Sequence, residues 1–268
     1  MTMQWNKRFG AAAIAAAALA AAGVAAAPAL AADAGAWTPK PYKPKSKRDF
    51  TGVWDNPDGI GWTPGLPPGP GQNPPLTPEY KKIFDEHQKN AAEGKPTGDL
   101  TAACLPQGMP RIMTMTYPME IIQNETQVNI FAEWNEQTRR IWIDGRPHPE
   151  GAADEHTFYG HSIGHWEGDV LVVDTVGLRG DTNLEASGLP HSDQLRVRER
   201  IWLENDNLLK DEITLIDPKA YTRPWTVTKR FNRMEPGTTT LPYVCLENQR
   251  NPVAADGTIG VVLQGSNQ

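Results

Sequence analysis

From about residue 112 onward, apolar and polar residues alternate in short runs separated by turn-forming residues. Side chains of a β-strand point alternately to its two faces, so this period of two predicts strands with one buried face. Segments rich in Gly, Pro, Asn and Asp mark the turns between them. The segment DFTGVWDN at residues 49–56 predicts one earlier strand. The later strands are predicted near 119–124, 127–134, 138–143, 157–166, 169–176, 194–204, 208–216, 225–233 and 241–246.

This order of elements predicts a mainly β fold. Successive strands joined by hairpins, with no helices between them, are typical of an antiparallel meander. A sheet of this many strands would leave exposed edges unless it closed on itself. We therefore predict a lipocalin-like β-barrel, with two packed sheets as the alternative.

One short helix is predicted near residues 78–93, where apolar residues recur at helical spacing. Thr77 suits the N-cap, Pro78 suits the first turn, and Gly94 suits the end. The helix would open a single β-rich domain that extends over residues 77–268.

Residues 32–76 are crowded with Pro and Gly, which excludes a regular helix or a central strand. Trp54 and Trp62 lie within this segment, and two tryptophans argue against a wholly solvated linker. The segment is therefore predicted to wrap the β-rich domain as ordered coil.

Residues 1–31 have the features of a secretory signal peptide. Lys7 and Arg8 precede a long alanine-rich run, which ends at the small-x-small sequence Ala29-Leu30-Ala31. A membrane anchor is the alternative, but the run is only weakly hydrophobic. The sequence thus predicts a periplasmic or secreted protein, with no membrane association once the leader is cleaved.

Net charge limits the classes of molecule that the protein can bind, and the two cysteines bear on its cellular compartment. The leader holds two basic residues and no acidic ones, so the mature chain has a net charge of (26 − 2) − 32 = −8. Such a chain has no broad attraction for nucleic acid or anionic lipid, and a small molecule is the expected partner. In an oxidising compartment Cys104 and Cys245 are predicted to form a disulfide, with two unpaired thiols as the alternative.

The segment GHSIGHWEGDVLVVDTVGL, residues 160–178, predicts a hairpin that carries chemistry-bearing side chains. A two-residue turn at Glu167-Gly168 would place His161 directly opposite Asp174. A carboxylate beside an imidazole fixes its tautomer and raises its basicity, as a general base requires. The alternative is a structural cross-strand pair that only sets the register.

Glu199 falls on the apolar face of the predicted strand 194–204. A buried carboxylate is costly unless it is paired, and burial raises its pKa toward the range of a general acid. Glu199 is therefore either the acid or the partner of an inward arginine, for which Arg140, Arg146 and Arg223 are candidates. The predicted catalytic residues are His161, Asp174 and Glu199.

Polar loop residues supply the remaining candidates, because the loops at the mouth of a barrel are where small ligands enter. We also consider a metal site, since five of the six histidines fall within 148–191. The spacing of His161 and His165 along a strand, about 13 Å, is too long for one ion. The predicted substrate-binding residues are Tyr159, Arg146, His148, His191 and Trp225, and the minority metal hypothesis uses His148, His161 and His165.

Four segments, DGRPHP, GHSIGHWEGDVLVVDT, LRVRERIW and DPKAYTRPWTV, together resemble a broad family of secreted bacterial proteins that has no assigned activity. The resemblance extends over roughly residues 100–250. It implies export and the β fold. It further implies that the hairpin at 166–169 and the Glu199-Arg200 pair belong to the framework, whereas His161 serves chemistry or specificity particular to this protein.

The sequence is compatible with three functions. The first is an exported enzyme that performs cofactor-independent acid–base chemistry, of lyase, isomerase or hydratase type, on a small apolar or aromatic molecule. It is favoured because neither a cofactor fingerprint nor a nucleophile elbow on a strand-to-helix turn is present. The others are a non-catalytic binding protein for a small hydrophobic ligand, and a metal-dependent hydrolase that uses histidines within 148–191.

Overall fold

The computed structural model describes residues 39–245, which form a closed β-barrel. The predicted signal peptide at 1–31, residues 32–38 and residues 246–268 lie outside the described residues. The barrel strands are β1 (Gly52–Asp55), β2 (Met119–Gln123), β3 (Gln127–Ala132), β4 (Gln137–Trp142), β5 (His161–Glu167), β6 (Val170–Val176), β7 (Arg196–Asn205), β8 (Leu208–Ile216) and β9 (Trp225–Arg233).

Each strand pairs with its neighbour in sequence, and β1 closes the barrel by pairing with β9. The lipocalin-like barrel is therefore confirmed, and the alternative of two packed sheets is not formed. The fully antiparallel order is wrong at one place, because β4 and β5 are parallel. A parallel pair needs a long connection, and the segment 143–160 returns the chain to the end of the barrel where β4 began.

The prediction of a strand at 241–246 is also wrong for residues 241–245, the part of this range that the structure describes. Only Tyr243 makes an isolated bridge, to Trp134, beyond the end of β3. The two rings are stacked at a centroid distance of 6.3 Å. After β9 completes the barrel, the edges of the sheet are already paired, so the following chain has no free edge to extend along.

The interior of the barrel is filled by side chains from alternate strand positions. In β7 the buried residues Val197 and Ile201 alternate with outward-facing arginines, as a strand with one buried face requires. Trp54 and Trp62 are both fully buried in the same core. The buried positions on the barrel strands also include four charged residues, Arg139, Glu199, Asp211 and Lys229.

The helix α1 (Pro78–Ala92) confirms the prediction of a short helix near 78–93. Tyr80 and Phe84 form its buried face. Thr77 occupies the N-cap position but makes no capping hydrogen bond with its side chain, and its Oγ1 donates to the carbonyl of Lys219 at 3.0 Å. Gly94 follows the helix with a φ of 68°, which only a residue without a Cβ adopts readily.

The described part of the Pro- and Gly-rich segment, residues 39–76, packs against the barrel. The backbone amide and side chain of Arg230 both donate to Asp58, and Lys229 Nζ donates to the carbonyl of Gly61 at 2.6 Å. The predicted wrap is therefore held by charged side chains of β9 as well as by its tryptophans.

Cys104 and Cys245 form a disulfide, as predicted, with their Cα atoms 5.5 Å apart. The bond joins the chain before β2 to the chain after β9. None of the helices in residues 39–245 has the length and apolar character that a membrane span requires.

Candidate functional site

The turn of the β5–β6 hairpin lies one residue further along the chain than the sequence predicted. The turn lies at Gly168-Asp169, and Glu167 pairs with Val170. Gly168 has a φ of 60°, and a turn with positive φ at its first central residue places glycine there. The prediction that His161 directly faces Asp174 is therefore wrong.

A one-residue change of turn moves every cross-strand pair by two positions. His161 consequently faces Val176, and Asp174 faces Ile163. Both side chains nevertheless remain on the outward face of the hairpin, since the shift is an even number of residues.

His148 links the two residues that the register separates. Its Nδ1 lies 2.9 Å from Nδ1 of His161, and its Nε2 lies 3.1 Å from Oδ2 of Asp174. His148 comes from the segment 143–160, which connects the parallel strands. The structure thus forms a continuous chain from Asp174 through His148 to His161, and we call these three residues the histidine relay.

Asp174 is held at its end of the relay by an arginine of β7. Arg196 donates from Nε to Oδ1 and from Nη2 to Oδ2, both at 2.6 Å. Burial alone would raise the pKa of Asp174, but the hydrogen bonds from Arg196 and His148 outweigh it and hold the pKa below its ordinary value. Asp174 is therefore an ionised acceptor for the histidine beside it.

The protonation of the relay follows from that acceptor. An ionised Asp174 accepts the Nε2–H of His148, so Nδ1 of a neutral His148 accepts the Nδ1–H of His161. Nε2 of His161 then carries a lone pair, and it has no hydrogen-bond partner among residues 39–245. Burial is the main cause that lowers the pKa of His161, followed by the positive charge that His148 carries when protonated and by Arg146, while Glu155 acts in the opposite direction. The lowered pKa keeps this lone pair available at neutral pH.

His161 borders a recess of about 320 Å³ on the outer side of the barrel. The recess lies where β4 and β5 begin. These strands pair only at Ile141 with Ser162 and at Trp142 with Ile163, and they are not paired before those positions. The side chains between them therefore leave a gap. The lining residues are Thr138, Arg140, Trp142, Tyr159, Gly160, His161 and Ser162.

Two of the predicted substrate-binding residues lie at or near this recess. Tyr159 lines it and donates from its hydroxyl to Gln137 at 3.2 Å, while burial raises the pKa of that hydroxyl. Arg146 instead pairs with Asp144, with Nη2 and Oδ2 2.6 Å apart. Its guanidinium lies 3.7 Å from the ring centroid of Trp142, which forms one wall of the recess.

Glu199 is placed apart from the relay. It is fully buried on the inward face of β7, whereas His161 and Asp174 face outward. Its carboxylate forms an ion pair with the equally buried Arg139, whose Nη1 lies 2.8 Å from Oε1. The catalytic set of His161, Asp174 and Glu199 is therefore not assembled, and the arginine that pairs with Glu199 is none of the three that the sequence suggested.

Two further predicted residues belong to the framework. His191 is 1% exposed and its Nε2 lies 2.8 Å from the hydroxyl of Thr182. Trp225 is buried in the core and packs edge-on against Trp62 and Tyr221. Neither residue lines the recess.

The histidines of the minority metal hypothesis are not brought together as a set of three. His148 contacts His161, but His165 lies near the turn of the hairpin, with Nε2 3.4 Å from Oε1 of Glu167. Within the described residues, no group of three or more His, Cys, Asp or Glu side chains is arranged to hold a metal ion.

Two parts of the site were not predicted from the sequence. His148 was predicted as a substrate-binding residue, because nothing in the sequence reveals how the loop 143–160 folds back onto β5. Arg196 was assigned no role, although the alternation of arginines in LRVRERIW places these side chains on one face of a strand. That alternation is the signal from which a charged outer face could be predicted.

No protein-family model matches this sequence, and no curated protein is significantly similar to it.

Proposed function

We propose that the protein is an enzyme that performs cofactor-independent acid–base chemistry on a small organic molecule bound in the recess. The reaction type is that of a lyase, isomerase or hydratase. One observation carries this proposal: the histidine relay ends in an unpaired imidazole nitrogen of His161 at the wall of the recess.

In this mechanism Nε2 of His161 accepts a proton from the substrate. The proton on Nδ1 of His161 then passes to Nδ1 of His148, which becomes an imidazolium. Asp174 stabilises that positive charge through its bond to Nε2 of His148. The reverse transfer returns the proton to the product, so one relay serves as base and then as acid, and Glu199 takes no part.

The recess supplies donors for negative charge that develops on the substrate. Arg140 and Thr138 line it from β4, whereas His161 lines it from β5. Donors fixed in place before the reaction stabilise such charge more effectively than water does.

A carrier of a small hydrophobic ligand fits the interior less well. Such a carrier needs an apolar cavity inside the barrel. The inward positions instead hold bulky side chains such as Trp54 and Phe231, together with the ion pair of Arg139 and Glu199. The arrangement therefore favours chemistry at the outer recess.

We further propose that the protein is exported, because the features of its leader agree with the disulfide between Cys104 and Cys245. Intact-mass analysis of the protein from a periplasmic or culture fraction tests this. A mature chain that begins at residue 32 is expected, and full-length protein confined to the cytoplasm would contradict it.

The catalytic proposal is tested by proton exchange, because each of these reaction types moves a proton to or from carbon. The mature protein is incubated in D₂O with mixtures of small carbonyl and carboxyl compounds, and their masses are followed. We expect deuterium incorporation or conversion by the wild type, and a loss of about 100-fold or more in His161→Asn.

The matched control is His165→Asn, which removes a histidine from the same face of the same strand away from the recess. It should behave as the wild type. Equal rates in His161→Asn and wild type would overturn the assignment of the base. Binding of a compound without exchange or conversion would identify a ligand-binding protein instead.

A further inference from the structure

The recess beside His161 contains an arginine, Arg140, that has no carboxylate partner among the described residues. None of the described residues that line it is acidic, whereas Arg140 contributes a guanidinium. The other arginines nearby differ in this respect, since each has a carboxylate partner at short range. Those pairs are Arg139 with Glu199, Arg146 with Asp144, Arg196 with Asp174, and Arg200 with Glu167.

Arg140 is held in place without using its terminal donors. Its Nε donates to Oδ1 of Asn129 at 3.3 Å, and its guanidinium carbon lies 5.2 Å from the ring centroid of Trp142. Within the part of the chain that the structure describes, Nη1 and Nη2 have no hydrogen-bond partner. A guanidinium oriented by its Nε and by an aromatic ring presents its remaining N–H groups to an incoming ligand.

We propose that the recess binds the carboxylate of a small organic acid, with the Nη1 and Nη2 groups of Arg140 as its receptor. This inference rests on the proposed function, for which it names the substrate class. Two parallel N–H groups of one guanidinium match the two oxygens of one carboxylate. A volume of about 320 Å³ lies at the small end of ligand sites, so the acid is a compact molecule.

The position of the receptor also suits the chemistry. Arg140 and His161 line the same recess from different strands, β4 and β5. A carboxylate fixed at Arg140 leaves the rest of the molecule to reach Nε2 of His161. The guanidinium further stabilises the negative charge that spreads onto a carboxylate when a proton leaves the adjacent carbon.

The test compares acids with neutral analogues of the same shape, benzoate with benzamide and acetate with acetamide. Binding is followed through the indole N–H signal of Trp142, assigned by its loss in Trp142→Phe. We expect the wild type to bind at least one of the acids about tenfold or more tightly than its amide. The acid forms a hydrogen bond between two charged groups, the carboxylate and the guanidinium, which the neutral amide does not form.

Arg140→Gln should bring that ratio close to one. Arg200→Gln is the matched control, since it removes the same charge from the outer face away from the recess, and it should keep the preference. Equal binding of acid and amide by the wild type would overturn the inference. So would a preference that survives Arg140→Gln, or the absence of saturable binding by both acids.

The same titration on His161→Asn separates this inference from the proposed catalysis. The preference for the acid should persist in this variant, because Arg140 is unchanged. A preference without proton exchange in the wild type would uphold the carboxylate receptor and reject the catalysis. Proton exchange on neutral compounds, without any preference for the acid, would uphold the catalysis and reject the carboxylate receptor.

Discussion

Two polar clusters lie on opposite sides of the same barrel wall. Arg139 and Arg140 are neighbours in β4, yet one belongs to each side. Arg139 pairs with Glu199 inside the barrel, where both side chains are 0% exposed. The histidine relay lies outside, and its His148 and Asp174 side chains each retain 20% exposure. Both clusters join a basic group to a carboxylate, but the outer one borders the recess, whereas both side chains of the inner pair are fully buried.

The comparison shows that a perturbed carboxylate is not by itself a sign of catalysis. Asp211 is fully buried beside Glu199, and neither of its oxygens accepts a hydrogen bond from a donor in the described residues. Burial and the charge of Glu199 raise the pKa of Asp211 well above the ordinary value, which favours its protonated form beside Glu199. The raised pKa of this carboxyl group is thus explained by its burial inside the barrel.

The largest expected effect is the loss of stability when the inner pair is broken. Arg139→Met leaves Glu199 buried without its cation, and we expect the free energy of unfolding to fall by about 3–5 kcal/mol. Urea denaturation measures it. The control Arg140→Gln changes the next residue on the exposed face and should alter stability by less than about 0.5 kcal/mol. A similar small effect for Arg139→Met would show that the inner pair does not hold the barrel.

Substitutions in the outer cluster should lower the activity of the protein without lowering its stability. Asp174→Asn offers His148 a donor where it had an acceptor, which favours the other tautomer and blocks the lone pair of His161. We expect kcat to fall by about 100-fold. Glu167→Gln is the control, because Glu167 also contacts an arginine and a histidine on the outer face. Comparable losses in the two variants would mean that any outer carboxylate affects turnover.

The pH dependence of stability should reveal the raised pKa of Asp211. A folded-state pKa above the unfolded value contributes stability at low pH, which is lost as the pH rises through the folded pKa. Asp211→Asn removes this decline, so we expect the stability of the variant relative to the wild type to be higher at about pH 8 than at about pH 4.

Urea denaturation of the variant and the wild type at both pH values gives the comparison. The difference between them cancels other titrating groups such as Lys229, whose pKa burial lowers to about 8. A difference of the same size at both pH values would show that folding does not raise the pKa of Asp211.

The smallest effect concerns the pH profile of the proposed reaction. A base with a lowered pKa stays active to lower pH, so kcat/KM should fall only below the ordinary histidine pKa of about 6.5. Arg146→Gln removes one of the charges that lower the pKa of His161 and should move this midpoint upward. Arg200→Gln should leave it in place. A midpoint unaffected by Arg146→Gln would assign the lowered pKa to burial and His148 alone.

The fold was largely predictable because each barrel strand shows its buried face in the sequence. Strands β8 and β9 begin and end where the alternation predicts them. The parallel pairing of β4 and β5 was not predictable, because direction depends on how the segment 143–160 returns. Alternation shows that a strand exists and which side chains share a face, but not which way it runs.

The site was predictable only in part, for two physical reasons. Gly168 could occupy either central position of the hairpin turn, and the choice decides whether His161 faces Asp174 or Val176. His148 reaches its partners from an irregular loop, where no period relates position to direction. The sequence thus indicated all three members of the relay as candidates and paired His161 with Asp174, but it did not show that His148 lies between them.

The disulfide between Cys104 and Cys245 would keep the protein in one covalent piece if a protease cut the loop 143–160. Residues 143–160 lie between Cys104 and Cys245, so one cut in the loop leaves both fragments joined by the covalent bond. The two pieces would stay at a high effective concentration and could keep all nine strands together. A nicked molecule would migrate as one chain on a non-reducing gel and as two after reduction.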